Sequence, residues 1–178
     1  LEVKPKTEMQ LDKDLATISQ AMKATGLKIE YLPQDRAFYE PLSDRIVMPM
    51  MQQFHSMREF RSTLLHEMVH ASGHEKRLAR EGITKFARFG DELYAKEELV
   101  AELGSAFIAA ETGLERDDRQ HAAYIDSWLK ALRGKDGKHL LFEAAREADR
   151  ASDYLLEPLR EREKTQEVAR PKEVELER

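Results

Sequence analysis

Residues 66–70 read His-Glu-Met-Val-His, and this five-residue pattern constrains the chain more than any other feature. On an α-helix, residues four apart share one face, about one turn from each other. Two imidazoles so placed can converge on one Zn²⁺ at about 2.0–2.1 Å each. Glu67, next to the first histidine, can then act as general base toward the water that the metal activates. A shuffled chain with the same six histidines would show the pattern about 0.03 times. The flanks favour a buried helix, because Leu64, Leu65, Met68 and Val69 are apolar. The alternative is two histidines on an ordinary helix beside a surface glutamate.

Composition narrows the chemistry further. The chain has 178 residues and no cysteine, which excludes disulfides, Cys-ligated metal sites and a cysteine nucleophile. The net charge of −5 gives no bulk electrostatic reason to bind nucleic acid. No apolar run is long enough to cross a membrane, and no signal peptide is visible, so a soluble cytoplasmic protein is expected. The chain begins with Leu1, which reads as an excerpt of a longer protein or a processed product.

The expected organisation is a charged linker at 1–10, a domain over 11–158 and a charged tail at 159–178 that frays and then loses order. Within the domain, apolar spacing predicts a helix over 11–25 with Gly26 as its stop. Short β-prone runs at 28–32, 36–39 and 45–48 predict two or three antiparallel strands, the last ending at Pro49. Ser56 and Glu59 resemble a capping box opening the metal helix. Residues 75–90 read as a loop with at most a short helix. Asp91 opens a helix over 92–112, ended by Gly113, and Asp117 or Asp118 opens another through Trp128. A last helix starts near His139. The class is therefore α+β and mostly helical.

A catalytic zinc usually has three protein ligands. The third can be His74, which follows Gly73, but it would stand about 6 Å beyond His70 along the axis. It can instead be a carboxylate from 97–102, where Glu98 and Glu102 share a face. One of these would bind metal while the other orients a histidine through its free N–H; Glu97 is expected to point elsewhere. The alternative for Glu92, Glu97, Glu98 and Glu102 is a solvated acidic face.

Taken together, HEMVHASGH and FGDELYAKEELVAELGSAFIAAETG resemble the zincin-like metallopeptidase domain of ArdC-type antirestriction proteins. Related domains occur in plasmid conjugation proteins of the TraC primase and LtrC type. AFYEPLSDRIVMP is similar to the family's strand pair, and YIDSWLKAL and ADRASDYL to its C-terminal helices, so the likeness spans about residues 30–155. It implies a gluzincin-like layout: His66, His70 and Glu98 on one Zn²⁺ or another divalent ion, Glu67 catalytic, and Glu102 behind the ligands.

The resemblance also implies a protein or peptide substrate. Single-stranded DNA would be reached only through an upstream domain absent from this chain. His74, Tyr94, His121 and Tyr124 are candidates to hold substrate or stabilise an oxyanion. The competing functions are a non-catalytic, metal-containing interaction module and a single-stranded-DNA-binding module. The second would use Arg58, Arg61, Lys76, Arg77, Arg80, Lys85 and Arg88 with Phe86 and Phe89.

Overall fold

The structure, a computed structural model, describes residues 6–85, 92–114 and 137–169. Helix α1 (Glu8–Ala24) opens with a capping box, in which Thr7 caps the Gln10 N–H and Gln10 reaches back to the Thr7 N–H at 2.8 Å. Thr-x-x-Gln is a readable start signal, and it places the helix three residues earlier than apolar spacing alone suggests. Gly26, at φ 102°, turns the chain out of α1.

Three strands follow: β1 (Lys28–Leu32), β2 (Phe38–Glu40) and β3 (Arg45–Pro49). Their order is β1-β3-β2. The expected antiparallel sheet is in fact mixed. β2 pairs antiparallel with β3, but β1 pairs parallel with it, Lys28 opposite Arg45. The reason is topological. β2 and β3 form a hairpin, and β1 adds to the far side of β3, where it runs in the same direction. β3 is thereby central, and Ile46, Val47 and Met48 are all buried.

Helix α2 (Met57–Ser72) carries the histidines. Ser56 caps the Glu59 N–H at 3.1 Å, while the Glu59 carboxylate accepts the His55 N–H at 2.8 Å. The capping box is therefore half-formed, with the glutamate serving the residue before the cap. A short helix α3 (Glu81–Thr84) and a long α4 (Glu92–Thr112) come next. Helix α5 (Gly137–Ala169) passes through Pro158 and extends eleven residues beyond it. The expected helix through Trp128 and the end of the charged tail lie outside the described residues.

The core forms where α2, α4, α5 and α1 meet beneath the sheet. Val69, Val100, Ile108 and Leu65 are buried there almost completely. Gly104 lets α4 approach α2: a Cβ at that position would lie 3.0 Å from Val69 Cγ1. Ala144, Ala148 and Ala151 present a small, fully buried stripe of α5. Among the described residues no helix is long and apolar enough to cross a membrane.

Candidate metal centre

Helix α2 buries Phe60, Leu64, Leu65, Met68 and Val69, which fixes its rotation in the core. His66 and His70 then fall on the side that looks toward α4. Their rings meet edge to face with centroids 4.8 Å apart, and the two Nε2 atoms are 3.1 Å apart. Leu99 and Val100 anchor α4, so Glu98 projects back at the pair. Its carboxylate oxygens lie 3.6 Å from each Nε2.

The ligand atoms of His66, His70 and Glu98 all lie within 4.8 Å of one another. Two nitrogens on a tetrahedral zinc would stand about 3.3 Å apart, given bonds of about 2.0–2.1 Å. The observed spacing and the N, N, O donor set therefore fit a divalent ion.

The outer face of each imidazole meets a carboxylate. Glu97 Oε1 is 3.2 Å from His70 Nδ1, and Glu102 Oε1 is 3.4 Å from His66 Nδ1. An Nδ1–H on each ring could be given to these carboxylates, which would leave both Nε2 atoms to face an ion. Glu97 does not point elsewhere, as its spacing from Glu102 suggested. It is 4% exposed and pairs with Arg80. Nor do these glutamates form a solvated face, since Glu102 is also 4% exposed. The readable signal for Glu97 was a second glutamate beside Glu98 with an arginine in the preceding loop.

Electrostatics follow the geometry. Burial would lower the His66 pKa, but Glu102 and Glu98 outweigh it and raise it above the ordinary value. Burial would raise Glu98, but the His66 hydrogen bond, the two imidazoles and the Tyr94 side chain bring it down. Glu67 behaves differently: burial dominates and raises its carboxyl, opposed by the two histidines and by a backbone hydrogen bond from Tyr39.

Glu67, Tyr39 and Tyr94 share a cleft of about 830 Å³ with His66, His70 and Glu98. β2 forms one wall through Phe38 and Tyr39, and Ile83 of α3 contributes to another. His74 is buried apart from the ligand group; its Nδ1 accepts the Lys76 N–H at 3.2 Å and lies 3.9 Å from Asp44. His121 and Tyr124 lie outside the described residues. Of the basic residues considered for DNA, Arg61 pairs with Glu8 and Asp12, Arg77 with Asp44 and Arg80 with Glu97, all three guanidinium groups being buried, whereas Lys85 pairs with Glu81 on the surface. Phe86, Arg88 and Phe89 lie outside the described residues.

A His₂Glu group on a helix pair beside a small sheet is the arrangement of a zincin-like domain. The chain belongs to the zincin-like metallopeptidase family, which it matches over residues 16–147. Two DNA primase TraC proteins of Escherichia coli are 44% and 42% identical to it over 135 residues. Those matches take in 76% of this chain but only 9% and 12% of the primases, so the chain spans about a tenth of their length. The antirestriction protein ArdC of plasmid R388, in its Mn(II)-bound structure, is 41% identical with a TM-score of 0.66. That match covers 89% of this chain and 55% of ArdC. The metal-free ArdC structure matches equally well, at 40% identity and the same TM-score.

Proposed function

We propose that this domain is a zinc-dependent peptide hydrolase within an antirestriction or conjugation protein of a mobile element such as a plasmid. The observation that carries the reading is Glu67, a buried carboxyl in one cleft with His66, His70 and Glu98. Those three residues would hold the ion, which supplies a Lewis acid for the scissile carbonyl and lowers the pKa of water. Zinc suits two imidazoles and a carboxylate, and other divalent ions can occupy such a set.

The chain's own groups do the rest. Glu67 takes a proton from the water that attacks the carbonyl carbon. It then delivers that proton to the amine as the C–N bond breaks. Tyr94, which donates its hydroxyl proton to Glu98 in this structure, stands in the cleft and would turn that proton from Glu98 to the developing oxyanion. β2 is an edge of the sheet and lines the cleft, so a substrate chain can lie along it as an added strand. In this reading the substrate is a protein or peptide in the cytoplasm, and any single-stranded DNA is held by a domain outside these residues.

The test is Glu67→Gln. Cleavage of an unfolded protein substrate should fall about 10²–10⁴-fold while metal content stays at the wild-type level. If the metal-loaded variant cleaves as fast as wild type, the hydrolytic mechanism is wrong. If it supports full function in vivo without cleaving anything, the domain is an interaction module.

A further inference from the structure

Arg80 is a buried arginine that the proposed chemistry does not use. Its Nε and Nη2 donate to the two Glu97 oxygens at 3.0 and 2.6 Å. Nη1 donates to Ser72 Oγ at 2.8 Å, and Nη2 also to the Val69 carbonyl at 2.6 Å. One guanidinium thus ties the C-terminal turn of α2 to the first turns of α4. The carboxylate it grips is the one 3.2 Å from His70 Nδ1.

Stability alone is a weak reason for this pair. Desolvating two charges commonly offsets what their attraction returns, and an apolar pair of equal volume often serves as well. The backbone nevertheless makes room for it at two places. A Cβ on Gly73 would lie 2.9 Å from Arg80 Cζ, and one on Gly82 would lie 2.7 Å from Glu97 Cβ.

We propose that Arg80 is a positioning residue for the metal centre. Its planar fork holds Glu97 in the one orientation that keeps the proton on His70 Nδ1 and aims Nε2 at the ion. Metal affinity is thereby set from the segment that follows the metal helix, with Arg80 at the N-cap of α3 and Gly82 as the point where α3 clears Glu97. This rests on the reading that His66, His70 and Glu98 hold a divalent ion.

The experiment is a zinc titration of the apo-protein against a competing chelator, together with the visible absorption of the Co²⁺-loaded protein. Single removal of Arg80 or Glu97 strands a buried charge, so the decisive variant is the double Arg80→Met/Glu97→Gln. It should melt cooperatively near the wild-type temperature yet bind zinc about 10–100-fold more weakly, with an altered Co²⁺ spectrum. Gly82→Ala removes no charge and touches no ligand, and it should shift affinity the same way by displacing Glu97. Wild-type affinity in Gly82→Ala, or in a folded double variant, overturns the inference and leaves the metal reading standing. Failure of the wild-type protein itself to bind zinc or Mn²⁺ overturns the metal reading, and the inference with it.

Discussion

Single residues do two kinds of work here. Some hold the site and some hold its walls, and Asp44 is of the second kind. It sits at φ 47° in the turn between β2 and β3. It accepts from the Tyr39 hydroxyl at 2.9 Å and from Arg77 Nη1 at 3.1 Å. Burial would raise the Asp44 carboxyl, but Arg77 and Tyr39 outweigh it and hold it below its ordinary 3.8. A carboxyl depressed in the folded state stabilises the fold above its unfolded pKa and loses that contribution as pH falls through the folded value. Asp44→Asn tolerates the positive φ. It should melt below wild type at pH 7, with the gap closing as pH drops under about 4. A pH series of thermal melts checks this, and a gap that widens toward acid contradicts it.

At the same scale, the metal ligands are separable by elemental mass spectrometry. His70→Ala and Glu98→Ala should lose bound metal, whereas His74→Ala should keep it, since His74 packs against Asp44 instead of the ligand group. Loss in His74→Ala with retention in Glu98→Ala would reassign the third ligand.

At the scale of elements, the site depends on how closely α4 lies against α2. Gly104 sets that distance, with Val69 Cγ1 and Cγ2 at 3.0 and 3.3 Å from its missing Cβ and the Ala148 carbonyl at 3.5 Å. Gly104→Val would force the helices apart, at a cost of about 1–3 kcal/mol from overpacking. A urea titration should show a lower midpoint, and zinc should be held less tightly, because Glu98 and the histidines sit on the two separating helices. Unchanged affinity in a destabilised variant would show that the site tolerates the shift.

Most helix limits were legible. Gly113, at φ 78°, closes α4 at Thr112 in the left-handed conformation glycine favours, whereas Gly73 ends α2 at φ −79°, where room for Arg80 and Ile83 calls for glycine. Strand pairing was not. Alternation along 28–32 shows which residues face together, but β1 and β3 meet only because β2 folds back on the other side.

At the scale of the whole molecule, α5 binds the parts together. It packs along α4 through its alanine stripe and reaches α1 with Leu155, Leu156 and Leu159 buried. Arg162 pairs with the buried Asp14 of α1 and donates to Thr17 Oγ1 at 2.9 Å. Leu156→Ala should cost about 2–5 kcal/mol in chemical denaturation. Metal stoichiometry in the folded protein should stay unchanged, since none of the ligands lies on α5.

What the sequence determined by itself is the local part of this design. The i, i+4 spacing of His66 and His70, the apolar face that buries their helix, and a glutamate-rich helix able to supply a third ligand all follow from helical periodicity. The tertiary structure decided the rest. Glu97 and Glu98 lie about 100° apart around α4, so whether one or both face α2 depends on the rotation of that helix in the core. That docking also turns Arg80 inward to Glu97, while Asp44 in the turn between β2 and β3 takes Arg77, so neither faces outward to phosphates. Spacing along a chain carries no record of such angles, because they are fixed by side chains packing from elements distant in sequence.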